Sequence, residues 1–204
     1  MAEAPPRVVF LPGASGSARF WEPVAQRLRA SCERVLLGWP GLGDVSHRPD
    51  IGSIDDLVGL VLAHMDRPVH LVAQSMGGVV AMRAALARPT AVERIVLAAT
   101  SGGIDLTPFG VADWRPDYER EYPTAAKWIL NAGGDLTDRL PSIDAPALLL
   151  WGDVDPISPV AVGERLRSLL PKSELIVVKG GTHAFARDHA DEVAPYVEHH
   201  LFGD

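Results

Sequence analysis

The chain has 204 residues, 47% of them hydrophobic and 22% charged, enough to bury a sizeable core within one domain. Its 19 basic and 26 acidic residues give a formal charge of −7 dispersed along the chain, which excludes the basic patch of a nucleic-acid surface. Cys32 stands alone, so a disulfide framework and a cysteine-rich zinc site are excluded as well.

The N-terminal stretch M-A-E-A-P-P-R carries an acid where a secretory signal would place basic residues ahead of a long apolar segment. No apolar run approaches the roughly 20 residues of a membrane span. A cytoplasmic protein with no membrane attachment is the expectation. Val8 to Leu11 is the first apolar run of strand length, and Trp21, Val24, Ala25 and Leu28 then follow the i, i+3, i+4, i+7 spacing of a helix. A second strand-like run, Val35 to Leu37, precedes another helical pattern at Ile54, Leu57, Val58 and Val61. Ser53 with Asp56 three residues on resembles a capping signal for that helix. Val69 to Ala73 reads as a strand, residues 76 to 87 as an Ala- and Met-rich helix ending before Pro89, and Ile95 to Ala99 as a strand.

Residues 101–141 break this rhythm. Gly102-Gly103, Pro108, Pro116, Pro123 and Gly133-Gly134 punctuate a stretch that holds Trp114, Tyr118, Tyr122 and Trp128. It reads as a lid-like excursion with one or two short helices. Beyond it come a strand at Ala147 to Trp151, a helix opened by Pro159 and ending before Pro171, and a strand at Leu175 to Val178. A final helical pattern near 190–201 contains Pro195. The strand runs are apolar at consecutive positions, as in strands buried on both faces of a parallel sheet. With helices alternating between them, the pattern predicts an α/β three-layer sandwich forming one domain over 1–204.

The chemistry-bearing stretches lie on the loops. A-Q-S-M-G-G, Ala73 to Gly78, puts Ser75 where a strand ends and a helix begins, between small flanks at Ala73 and Gly77. Alone, these residues fit a helix-capping serine as well as a nucleophile held on a sharp turn. The stretch resembles the nucleophile elbow of the α/β-hydrolase superfamily, usually G-x-S-x-G, with Ala73 in place of the first Gly. The resemblance implies a triad in the chain order Ser, acid, His, and the downstream loops supply candidates.

G-D-V-D-P-I-S-P, Gly152 to Pro159, resembles the family's acid loop and implies Asp155 as the triad acid, with Asp153 as competitor. K-G-G-T-H-A-F, Lys179 to Phe185, resembles its histidine loop and implies His183 as the base. His189 occupies a position where relatives carry a non-catalytic His. His199 and His200 read as an exposed tail, and His47, His64 and His70 precede the serine. Upstream, L-P-G-A-S-G-S, Leu11 to Ser17, resembles the H-G-x-x-x-S oxyanion loop with Pro12 in place of His, so the loop must be braced differently. The backbone N–H groups of Ala14 and Met76 are then the expected oxyanion donors. G-W-P-G-L-G-D-V-S, Gly38 to Ser46, resembles a further loop that shapes one wall of the site.

Relatives carry an antiparallel strand pair ahead of the oxyanion-loop strand. Here that strand starts near residue 7, which implies a reduced sheet of about six strands, mostly or wholly parallel. The implied activity is hydrolysis of a small carboxylic ester through an acyl-enzyme on Ser75, with no metal or cofactor. Trp21, Trp39, Ile157 and Phe185 on the loops, and Phe109, Trp114 and Trp128 in the lid, are expected to form an apolar pocket for an acyl or aryl group. Each of these aromatics is equally compatible with a place in the core. Thioester hydrolysis, carbon–carbon bond hydrolysis and a proton-abstraction lyase step are alternatives on the same triad. The last is suggested by P-G-A-S-G-S-A-R-F-W-E-P-V, similar to menaquinone-pathway lyases, which bind an acidic substrate; Arg115, Arg120 or Lys127 could serve it. A non-catalytic scaffold is a further reading, and a monomer or homodimer is expected.

Overall fold

Alternating residues of each central strand face opposite sides of one sheet, and both sets are apolar. In the computed structural model, which describes residues 4–203, this produces two buried clusters, one on each face. Val9 and Leu11 of β1 (Arg7–Leu11), Leu71 and Ala73 of β3 (Val69–Gln74), Ile95 and Leu97 of β4 (Val92–Ala98), and Leu149 and Trp151 of β5 (Ala147–Gly152) face one way. They pack beneath α2 (Ile54–Leu62), α3 (Met76–Ala87) and α5 (Val160–Leu169). Val8, Phe10, Val72, Val96, Leu148 and Leu150 face the other way, toward α1 (Glu22–Arg27), α6 (Phe185–Asp188) and α7 (Ala190–Phe202).

The sheet has six strands in the order β2-β1-β3-β4-β5-β6, every pair parallel, with β2 at Glu33–Leu36 and β6 at Ser173–Val178. The three-layer sandwich and the wholly parallel sheet agree with the sequence expectation. Burial on both faces holds for β1, β3, β4 and β5 but not for β2 or β6. As edge strands these meet a helix over only part of their length, and Val177 of β6 is exposed. Their starts, at Glu33 and Ser173, precede the expected apolar runs, as does that of β4, at Val92 ahead of Ile95.

Local chemistry sets the helix ends. The Ser53 hydroxyl accepts the N–H of Asp56, while the Asp56 carboxylate accepts the N–H of Gly52 and the Ser53 hydroxyl, so one carboxylate closes the capping box. α3 stops at Arg88 ahead of Pro89. α7 runs through Pro195, which lies on its exposed side, while Val193, Ala194, Val197 and Leu201 bury the opposite one. Residues 101–141 contain one α-helix, α4 (Arg115–Glu121), with 3-10 turns at Thr107–Phe109, Lys127–Asn131 and Leu140–Ser142.

The crevice follows from connectivity. After β1 the chain turns to the α1 face, and after β3 to the α3 face, so the loops leaving the C-terminal ends of these adjacent strands diverge. The loop at 12–17 and the Ser75 turn both lie at this switch point.

At the opposite end of the sheet, His70 and His200 are buried, contrary to the expected exposed position of His200. The α7 face that carries His200 turns inward, and the ring of Phe202 meets His70 edge-on at 5.7 Å. Burial lowers the His70 pKa to about 4, helped by Arg94 and His200; Glu93, half exposed at 3.5 Å, does not offset it. The His200 pKa is lowered too, burial again being the main cause. Unfolding frees both imidazoles to bind protons below their ordinary pKa of about 6.5, so stability falls as pH drops from 6.5 toward 4. The expected slope from His70 alone is about 1.4 kcal/mol per pH unit across that window. Urea midpoints of wild type and His70→Gln between pH 7 and pH 4.5 check it, with the variant expected to show the shallower dependence.

Candidate active site

Strand β3 ends at Gln74, and the chain reverses within one residue to start α3 at Met76. Ser75 absorbs that reversal at φ 51°, ψ −125°, a region costly for any residue with a Cβ. Hydrogen bonds hold it there: Ser75 N–H donates to the Ala98 carbonyl, and the Thr100 hydroxyl donates to the Ser75 carbonyl. The turn also needs Gly77, because a Cβ there would lie 2.5 Å from the Pro12 carbonyl oxygen and 2.6 Å from that of Leu11. The sequence places a small residue at this position because the helix start and the 12–17 loop touch.

Ser75 Oγ lies 3.0 Å from His183 Nε2, and His183 Nδ1 lies 2.8 Å from Asp155 Oδ2. A carboxylate only accepts, so Nδ1 carries the ring proton and Nε2 is free to accept from the serine hydroxyl. The Asp155 side chain is fully buried, and its other oxygen accepts the N–H groups of Ile157 at 2.8 Å and Ser158 at 3.1 Å. Asp153 does something else. Its carboxylate accepts the Gly180 N–H at 2.6 Å, tying the acid loop to the loop that carries His183. Gln74 donates its side-chain amide to the His183 carbonyl at 3.1 Å and restrains that loop from the other side.

Across the crevice, the N–H groups of Ala14 and Met76 have no hydrogen-bond partner among the described residues. Four successive carbonyls, from Leu11 to Ala14, are engaged. Trp21 Nε1–H donates to the Leu11 carbonyl at 2.9 Å and Trp39 Nε1–H to that of Pro12 at 2.7 Å. Gly16 N–H donates to the Gly13 carbonyl at 3.0 Å and the Tyr118 hydroxyl to that of Ala14 at 2.9 Å. This arrangement can pass a proton from a serine hydroxyl to an imidazole and present two N–H donors to an anion forming beside it.

A cleft of about 1110 Å³ opens above Ser75 and His183. Phe20, Ile54, Met76, Val79, Ile104, Leu106, Val111, Trp114, Ile129 and Ile157 supply apolar walls, with Tyr118 and Tyr122 on the lid side. Burial pushes both phenols up, that of Tyr122 to about 12 with Glu121 adding to the effect, so both stay protonated at neutral pH. The polar lining is acidic: Asp105, Asp113, Asp117, Glu121 and Asp135 against Arg115 and Arg187. Hydrogen bonds from the Thr107 backbone, the Arg115 backbone and the Thr137 hydroxyl hold Asp105, Asp113 and Asp135 below the usual carboxylate range. Those three carboxylates therefore keep their charge to lower pH than free ones do.

Residues 8–133 match the model of the alpha/beta hydrolase family, and residues 119–202 that of the TAP-like proteins. The chain belongs to the alpha/beta hydrolase family. It is 28% identical over 245 aligned positions to the polyketide synthase ThaQ of Burkholderia thailandensis, covering 94% of this chain but only 12% of that one. It is 25% identical over 238 aligned positions to the pimeloyl-acyl-carrier-protein methyl ester esterase of Neisseria meningitidis, covering 95% of this chain and 93% of the esterase. Among solved structures, a bacterial membrane phospholipase A superposes with a TM-score of 0.81 at 23% identity, covering 99% of this chain and 80% of that one. That last likeness is one of fold.

For this hydrolase the structure brings Ser75, Asp155, His183, Ala14 and Met76 to one crevice, with Trp114 and Ile157 on the cleft wall. Five other residues expected on the pocket lie elsewhere. Trp21 and Trp39 are wholly buried, their indoles spent on loop carbonyls, and Phe185, which opens α6, is wholly buried in the core on the α1–α7 face. Phe109 and Trp128 pack against the α2–α3 side of the core and do not line the cleft. An aromatic side chain on a loop reads the same whether it faces a substrate or the sheet, and burial decided for the sheet. The 38–46 loop is not a wall of the cleft; it lies behind the Ala14 loop, where Trp39 N–H donates to the Gly16 carbonyl at 2.9 Å.

The lid bases are paired: Arg115 with Asp113, Arg120 with Asp117, and Lys127 with Glu119. His189 sits at the start of α7, 3.8 Å from Glu192, and takes no part in the relay. Sequence reasoning assigned no role to Gln74 or Tyr118 and took Asp153 only as a competitor for the triad acid. Asp153 carried a signal, a second carboxylate on a loop facing another loop, whereas the partners of Gln74 and Tyr118 lie more than a hundred residues away. Among the described residues no helix is long and apolar enough to cross a membrane.

Proposed function

We propose that this hydrolase cleaves a small, uncharged carboxylic ester with an apolar acyl or aryl group. The observation that carries the reading is the continuous relay Ser75 Oγ, His183 Nε2, His183 Nδ1, Asp155 Oδ2 at the floor of an apolar cleft. In this reading Ser75 Oγ attacks the ester carbonyl as His183 takes its proton, and the Ala14 and Met76 N–H groups receive the oxyanion. His183 then protonates the departing alcohol. Water enters, gives its proton to His183, and releases the acid from Ser75, while Asp155 keeps the imidazole in the reactive tautomer.

The relative from Neisseria, named for cleaving a methyl ester, supports ester chemistry. The acidic cleft argues for a free, uncharged ester over an anionic substrate. The lyase alternative requires a cation for an acidic substrate, and its three candidate bases are occupied by neighbouring carboxylates.

A panel of p-nitrophenyl esters from acetate to dodecanoate, with acyl-CoA thioesters alongside, tests the reading on wild type and Ser75→Ala. Short- and medium-chain esters are expected to be turned over, with acyl-CoA, which is strongly anionic, at least about tenfold less efficient in kcat/KM. Absence of any ester turnover would sink the esterase reading and favour carbon–carbon or lyase chemistry. A preference for acyl-CoA would instead move the protein to the thioesterases.

A further inference from the structure

The geometry points to Tyr118 as a positioning residue of the oxyanion loop, through which the lid helix sets the orientation of the Ala14 peptide; this rests on the proposed ester-hydrolase reading. Its hydroxyl donates to the Ala14 carbonyl at 2.9 Å and accepts the N–H of Gly43 at 3.1 Å. Both positions of the hydroxyl are therefore used, and α4, the Ala14 loop and the 38–46 loop are joined at one oxygen.

Ala14 lies between two peptide planes. Gly16 fixes the plane that carries the Ala14 N–H by donating to the Gly13 carbonyl, and Tyr118 fixes the next plane through the Ala14 carbonyl. Pro12 has no N–H with which to anchor the loop, so restraint comes through carbonyls, and Tyr118 is the side chain that holds the Ala14 carbonyl itself. The ring is rigidly placed. It is buried, meets Trp114 edge-on at 5.4 Å and contacts Tyr122 at 5.1 Å. The lid is tied to the same region again by Ala126 N–H donating to the Gly41 carbonyl at 2.7 Å. Donor alignment matters most when charge builds on the substrate oxygen, so loss of the hydroxyl should weaken transition-state binding and leave ground-state binding almost untouched.

Tyr118→Phe keeps the ring and removes both hydrogen bonds. With a medium-chain p-nitrophenyl ester, kcat is expected to fall about tenfold, less than the 10²–10³ typical of deleting a donor outright, with KM within about twofold. A trifluoromethyl ketone provides a second readout. Ser75 Oγ adds to its carbonyl carbon, the serine proton passes to His183, and the resulting oxyanion sits against the Ala14 and Met76 N–H groups. Its inhibition constant should rise about tenfold in parallel with the loss in kcat. Unchanged kcat and ketone inhibition in Tyr118→Phe would overturn the proposal, and a lower melting temperature beside those unchanged values would make the hydroxyl merely structural. If wild type turns over no ester, the esterase reading fails separately, and the ketone comparison still decides the role of Tyr118. A wild type that does not bind the ketone would overturn both.

Discussion

Replacing Ser75 with Ala is expected to lower kcat on an activated ester by on the order of a million-fold, and His183→Ala by nearly as much, with the double variant little worse than either. The physical basis is the dependence of each group on the other. A serine hydroxyl is too weak an acid to attack at neutral pH unless its proton leaves as the bond forms, and His183 Nε2 at 3.0 Å is the acceptor in reach. Removing either group stops the same step, so the losses do not multiply. Stability should be almost unaffected at Ser75. Its φ of 51° is a strained conformation for a residue with a side chain, and Ala there relieves no contact, so Ser75→Ala should melt close to wild type. Steady-state kinetics with thermal melts of the three variants check both statements. A single-variant loss below about a hundredfold would place the chemistry on another group.

Asp155→Asn is expected to cost about ten-thousand-fold in kcat, and Asp153→Asn less than tenfold. The asymmetry follows from the hydrogen bonds of each carboxylate. Asp155 Oδ1 accepts two backbone N–H groups, from Ile157 and Ser158, and Oδ2 accepts from His183. In Asn the amide oxygen must stay on the two N–H donors, which turns the NH2 group toward His183 Nδ1. Nδ1 then has to accept, the ring proton moves to Nε2, and Nε2 can no longer take the proton of Ser75. Asp153 accepts only the Gly180 N–H, a contact an Asn oxygen reproduces. The pair of variants also distinguishes the two carboxylates that the acid loop presents four residues from Pro159 and nearer its start. Equal losses from both substitutions would place the orienting charge on the loop as a whole.

Much of the fold was legible because its signals are short-range. Four of the six strands are built on apolar runs buried on both faces, Val8 to Leu11, Leu71 to Ala73, Ile95 to Ala98 and Ala147 to Trp151, and α3 is delimited by the Ser75 turn and Pro89. The edge strands β2 and β6 begin earlier than their apolar runs, at Glu33 and Ser173, and so does the inner strand β4, whose Glu93 and Arg94 precede Ile95. Ser75, Asp155 and His183 are singled out through the resemblance of their three loops to those of the α/β-hydrolase superfamily, since the Ser75 stretch alone fits a helix cap equally well. Aromatic placement was not legible. Trp21 and Trp39 follow loop glycines in sequence but point their indoles down onto Leu11 and Pro12, a choice made by carbonyls in another segment. His200 illustrates the same limit at a helix end, where one residue of rotation separates the exposed His199 from its buried neighbour. Tyr118 reaches Ala14 across a sequence separation of 104, and nothing near either residue announces the contact.

Covalent labelling with a fluorophosphonate, followed by peptide mapping of the adduct, tests the proposed nucleophile most directly. One phosphonyl group on the peptide containing Ser75, lost in Ser75→Ala and slowed strongly in His183→Ala, is the expected result. No labelling of the folded wild type, or an adduct on another cleft serine such as Ser15 or Ser101, would contradict it.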